Sequence, residues 1–105
     1  SAQRSPIASV VEVWAPDPET RALRVVSADY GPYVDLEPVS RSLRLGDGEG
    51  LAGRVLADGG PLLTADLAGV ESMRGDAFLD YGFEWCFGLP VYVGDELFGV
   101  VTFLR

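Results

Sequence analysis

Residues 85–105, WCFGLPVYVGDELFGVVTFLR, constrain the fold more than any other stretch of this chain. Two apolar, β-rich runs flank Val93-Gly94-Asp95-Glu96, and Gly94-Asp95 is the kind of pair that closes a tight β-hairpin. Counted from the turn, Trp85, Phe87, Leu89, Val91 and Val93 share one face, while Cys86, Gly88, Pro90 and Tyr92 share the other. Residues 97–104 are apolar on both faces except at Thr102. A strand facing water alternates apolar with polar, so this hairpin is expected at the centre of a sheet covered on both sides. Pro90 has no N–H to give a ladder, so the first run is interrupted there or lies at an edge.

The chain has 105 residues, enough for one domain with a real core and too few for two. An apolar content of 48% marks it as globular. No apolar run approaches the ~20 residues that cross a bilayer, and no signal-peptide pattern opens the chain. One cysteine cannot make an internal disulfide, which fits a reducing, cytoplasmic setting. The net charge of −8 argues against nucleic acid or an anionic membrane as partner, since both need a basic footprint. With no histidine, these residues exclude His-held haem, His-ligated zinc and Ser-His catalysis.

Read in order, residues 1–7 carry no periodicity and are expected to be a disordered lead-in. Residues 8–15 read as a strand, with Val11 and Val13 on one side and Val10 and Trp14 on the other. Residues 16–20, with two prolines, form a turn, and residues 21–28 return as a second strand. A loop over 30–38 and a short strand over 40–45 follow. The glycine-rich run 46–50 leads into a helix over 51–58, ended by Gly59-Gly60-Pro61. A short strand over 62–65 comes next, then a loop over 69–81 holding one short helix with Ala77, Phe78 and Tyr81 as its apolar stripe. Strands that adjoin in sequence predict an antiparallel sheet with segregated helices, an α+β fold.

The segment RSLRLGDGEGLAGRVLADGGPLLTADL, followed later by GFEWCFGLPVYVGDELFGVVTFLR, resembles a GAF domain. Gly48, Gly50, Leu51, Ala52, Gly53, Val55, Gly59, Pro61 and Asp66 match the family's stretch ahead of its pocket-forming region. Gly82, Pro90, Val91, Gly94, Leu97, Gly99 and Val100 match its closing hairpin. The resemblance covers residues 8–105 and implies a GAF-like, PAS-related α+β fold: a central antiparallel sheet of five to six strands with helices on its faces. It implies a non-catalytic sensory or regulatory module of a multidomain, bacterial-type signal-transduction protein, acting beside neighbouring signalling domains. The alternative is a ligand-free GAF or PAS-like dimerisation or spacer module.

GAF domains begin and end with long helices on one sheet face, and neither is legible here. Residues 8–105 are therefore expected to be a single domain truncated at both terminal helices, pairing as a homodimer through the face left uncovered. The Asn-Lys…Phe…Asp-Glu signature of cyclic-nucleotide binders is absent, and Cys86 lacks the histidine neighbour of bilin-attaching members. The family's free methionine sulfoxide reductases need an attacking and a resolving thiol, which one cysteine cannot supply, so no catalysis is expected. The sequence names no cofactor.

Residues 66–85 are the candidate ligand pocket, because loops on a rigid sheet concentrate binding residues. Met73, Phe78, Tyr81, Phe83 and Trp85 are its expected apolar walls; Asp66, Arg74 and Asp80 are its polar handles, with Arg74 suited to an anionic or carbonyl-bearing small molecule. The carboxylates Asp66, Glu71, Asp76 and Asp80 match no calcium loop and read as a solvated group, with no metal. The run DGEGLAG lacks the Lys-Ser/Thr ending of a P-loop and reads as a turn before a helix. Cys86, between Trp85 and Phe87, reads as an inert buried thiol.

Overall fold

The computed structural model describes residues 8–105; the expected lead-in over 1–7 lies outside them. In chain order the elements are β1 (Val10–Pro16), β2 (Leu23–Asp29), α1 (Leu36–Ser42), α2 (Gly50–Asp58), β3 (Leu62–Thr64), α3 (Leu67–Val70), α4 (Gly75–Asp80), β4 (Cys86–Val93) and β5 (Glu96–Leu104). The strands form one antiparallel sheet in the order β2-β1-β5-β4-β3. Both expected hairpins are present. Asp17 closes the first by accepting from the Glu19 and Thr20 N–H groups, and Gly94 turns the second at φ +63. β5 lies at the centre, between β1 and β4, so the first strand of the chain pairs with the last.

Alternation decides which side of each strand is buried. Val10, Glu12 and Trp14 of β1, Cys86 and Gly88 of β4, and Val100, Thr102 and Leu104 of β5 turn toward one continuous core. Leu36, Leu51, Val55, Leu67, Val70 and Phe78 come down on that core from the four helices. The opposite faces of the same strands, Val11, Val13, Phe87, Leu89, Val101 and Phe103, stay half-buried. Cover on both sides of the closing hairpin was expected; the described helices cover one face. Pro90 sits beyond the reach of β3, which pairs with β4 only over Leu62–Thr64, so its missing N–H leaves no ladder bond unmade on that side.

Two expectations fail between the hairpins. Residues 40–45 are not a strand: Ser40 to Ser42 end α1, and only Leu45 bridges to the sheet, at Leu23. Leu43 and Leu45 do alternate with exposed Arg44, but only Leu45 finds a partner strand, through its single bridge to Leu23. Pro38 masks α1 because it reads as a breaker, yet it lies in the helix's first turn, where an N–H has no partner to lose. The 69–81 region holds α4 as expected, and a second helix, α3, precedes it. Only four residues long, α3 is held by the Asp66 carboxylate, which accepts from the Gly69 N–H.

The 46–50 run is a turn and helix start, as its composition implied. Gly50 takes φ +65 and Gly59, ending α2, takes φ +72, both in the left-handed region that favours glycine. Glu49 reaches back to accept from the Gly46 N–H, and the Gly48 N–H donates to the Gly53 carbonyl. Gly88 lets α2 lie directly on β4, where a Cβ would meet the Val55 side chain.

Candidate functional site

The strand parity that turns Val10 and Trp14 inward also turns Glu12 inward, and its carboxylate is 1% exposed. A lone buried carboxylate is strongly unfavourable, so a cation must meet it. Arg74, from the connection between α3 and α4, is 2% exposed and supplies that charge: its Nη1 donates to Glu12 Oε2 at 2.8 Å and to Ser40 Oγ at 2.8 Å. Its Nε donates to Glu71 Oε1 at 3.1 Å, and the guanidinium lies over the rings of Phe78 and Trp14, 4.8 and 5.4 Å from their centroids. Burial alone would lower the Arg74 pKa, but the Glu12 and Glu71 carboxylates outweigh it and hold the group above its ordinary value.

Two carboxylates face one guanidinium, and neutral donors make up the difference. Glu12 also accepts from the Tyr30 hydroxyl at 2.7 Å and from Thr102 Oγ1 at 3.3 Å, while Thr102 accepts from Trp14 Nε1 at 3.0 Å. Burial, together with the neighbouring Glu12 carboxylate, pushes the Tyr30 hydroxyl above its ordinary pKa, so it stays a donor. Glu71 Oε2 accepts at 3.0 Å from the N–H of Leu51, in the first turn of α2, where the helix dipole favours an anion. The cluster ties β1, β5, α1, α2 and the α3–α4 connection into one hydrogen-bonded unit.

The residues singled out from sequence take different places. Phe78 and Phe83 are buried with rings 5.8 Å apart; Tyr81 packs on Phe83 at 6.0 Å, and Tyr33, which sequence reasoning missed, packs on both Phe83 and Tyr81 at 4.8 and 5.1 Å. Arg74 lies beneath this region. Asp66 and Asp80 face solvent, and Met73 is 69% exposed. Trp85 alternates with the inward Cys86 and so stands on the other sheet face, lining a depression of about 280 Å³ with Leu63 and Phe87. The structure thus gathers Arg74, Phe78, Tyr81 and Phe83 and leaves Asp66, Met73, Asp80 and Trp85 apart.

A cavity of about 460 Å³ opens between the 43–50 turn and the α3–α4 connection. Leu43, Leu45, Val70 and Met73 give it apolar wall, Arg44 and Arg54 lie on it, and Glu71, a member of the buried cluster, also lines it. Glu71 is 3% exposed, which corrects its reading as one of a solvated group; Asp66, Asp76 and Asp80 are solvated. Among the described residues no three His, Cys, Asp or Glu side chains gather closely enough to hold a metal ion, and no helix is long and apolar enough to cross a membrane.

No protein-family model matches the sequence, and no curated protein sequence matches it either. Solved structures do match. A GAF domain of nlh2 from A. aeolicus, in an inactive state, superposes with a TM-score of 0.69 at 22% identity, over 93% of this chain and 57% of its own. NreA from Staphylococcus aureus, mutated in its nitrate-binding site, gives 0.72 at 14% identity, over 93% of this chain and 74% of its own. The fold is GAF-like. A third neighbour is an enzyme, the free methionine-R-sulfoxide reductase of Neisseria meningitidis, at 0.67 and 14% identity, over 93% of this chain and 52% of its own.

Within this GAF-like core Cys86 is fully buried at the start of β4. Burial first, and the Glu71 carboxylate second, push its thiol up to about 12, against the pull of Arg74, so it stays protonated at neutral pH. Native protein should therefore resist iodoacetamide while urea-unfolded protein is labelled readily. Cys86→Ala should fold normally with a loss of about 1 kcal/mol. Native labelling as fast as that of the unfolded chain would show Cys86 to be a reactive thiol.

Proposed function

We propose that this chain is a non-catalytic sensory or regulatory module of a multidomain signal-transduction protein, and that it takes a small molecule in the cavity beside residues 66–85. One observation carries the reading: Glu71 touches both that cavity and Arg74, and Arg74 touches Glu12 on β1. A ligand that moves Glu71 is thereby felt at the centre of the sheet, which is the physical requirement for relaying a signal. Met73 forms the rim of this site and Arg74 lies behind it; Phe78, Tyr81 and Phe83 pack the segment that carries them. The GAF-domain neighbour and NreA, with its nitrate-binding site, support the reading. The reductase neighbour is not followed, because the single cysteine is buried with its pKa raised.

A thermal-shift screen of metabolites and nucleotides tests it. A ligand at ~100 times its dissociation constant adds ~2.7 kcal/mol, a clear rise in melting temperature. Met73→Asp, on the rim, should weaken the response without unfolding the domain. A screen with no saturable stabiliser would favour the second reading, a ligand-free dimerisation spacer.

That second reading has its own support in the half-buried face of Val11, Val13, Phe87, Leu89, Val101 and Phe103. Phe87 and Phe103 stack across β4 and β5 with centroids 6.1 Å apart, a ready anchor for a second copy of the chain. Light scattering at micromolar concentration should report a dimer that Phe103→Glu dissolves. A native monomer would remove the dimer from both readings.

A further inference from the structure

The place that Glu71 fills has the makings of a carboxylate receptor. Its two oxygens are met by one donor each, Leu51 N–H at 3.0 Å and Arg74 Nε at 3.1 Å. One donor opens a nine-residue helix and the other belongs to a guanidinium 2% exposed that is also paired with Glu12, so the cradle is fixed by the fold and suits an acceptor with two oxygens. Gly50 keeps the approach open, since a Cβ there would come within 3.2 Å of Glu71 Oε2. The backbone of Glu71 is held independently of its side chain: its N–H donates to the Leu67 carbonyl and its own carbonyl accepts from Gly75. Rotating the side chain toward the 460 Å³ cavity, which Glu71 lines, would break neither of these backbone bonds.

We propose that this cradle is a binding site for a small monocarboxylate with a short apolar tail, and that Glu71 is its built-in competitor. The incoming carboxylate takes the Leu51 and Arg74 donors, and its tail lies against Leu43, Leu45, Val70 and Met73. One anion replaces another, so the buried charge balance with Glu12 is unchanged. Arg54, on the cavity wall with Nη2 on the Gly69 carbonyl, adds local positive charge to an otherwise acidic chain. The inference deepens the sensory reading by naming the ligand class, and it rests on that reading only for its biological use.

The test is competition. Propionate titrated into the native protein and into Glu71→Ala, with sodium chloride at matched ionic strength as control, is followed by the Leu51 amide and Arg74 Nε–H resonances. Both signals should shift saturably with propionate and not with chloride. Removing the internal competitor should tighten the apparent dissociation constant at least ~10-fold. Equal affinities in the two proteins, or no saturable shift at Leu51 and Arg74 in the variant, would overturn the proposal. If Glu71→Ala is unfolded, propionate should restore its fold in a saturable way, and Glu71→Gln, which keeps the side chain's length, should still bind more tightly than native. Failure of both would also overturn it. A stabiliser of another chemical class from the metabolite screen would then leave the sensory reading standing without the carboxylate.

Discussion

Arg74→Ala should lose about 3–5 kcal/mol of stability and leave most of the chain at the edge of unfolding, because a small domain has only about 5–15 kcal/mol in all. The loss comes less from the contacts removed than from what remains. Glu12 and Glu71 would stay in the core with no cation between them, and Ser40 would lose a donor. Arg74→Lys should recover only part of the loss, since one ammonium cannot reproduce the fork that meets Glu12, Ser40 and Glu71 together. The combined change Glu12→Leu, Glu71→Met, Arg74→Met should be far more stable than Arg74→Ala, because a desolvated ion cluster gives little net stability over apolar packing of similar volume. Urea midpoints at neutral pH would read all three. An Arg74→Ala variant within about 1 kcal/mol of native would mean that water reaches the cluster and relieves it.

Gly53→Ala tests a different constraint, with two effects of opposite sign. In the middle of α2, alanine should gain about 1 kcal/mol from helix propensity. A Cβ on Gly53, however, would run into the Gly46 carbonyl oxygen. That turn cannot easily give way: Gly48 N–H donates to Gly53, Gly53 N–H to Glu49, and Glu49 N–H to Gly46. Overpacking against fixed backbone costs about 1–3 kcal/mol, so a net loss is expected where propensity alone would forecast a gain. Ala57, exposed on the same helix, offers the control, since Ala57→Gly should simply lose about 1 kcal/mol. A Gly53→Ala protein more stable than native would mean that the 46–50 turn shifts freely.

The hairpins and α2 were legible because their signals are local: alternating residues, turn glycines, and Gly59 just past the last helical turn. The sheet order was not, since nothing near Val10 says that it will lie beside Leu104. α1 and α3 escaped because each is short. α1 is held by the core under Leu36 and Ser40, whereas α3 rests on a local cap, the carboxylate of Asp66 just before it, with too few residues after it to show a helical period. In the site, Arg74 was legible as a polar handle but not as a buried one. Parity places Glu12 inward with Val10 and Trp14, a usable warning that a cation must come, yet its partner lies 62 positions away. Glu71 looked like its exposed neighbours because its second partner, the Leu51 N–H, is a backbone group that no side-chain pattern announces.

The pairing of β1 with β5 also sets a schedule for the newborn chain. Trp14 and its partner Thr102 are 88 positions apart, and the sheet has no middle until residues 96–104 have left the ribosome. Until then the β1–β2 hairpin carries a bare edge, with Glu12 charged and Val10 wet, and a lone hairpin is marginal in water. Contacts this distant make folding slow and leave the nascent chain open to edge pairing with its neighbours. Synthesis halted anywhere before residue 96 should yield a product that aggregates, whatever local structure it has already made.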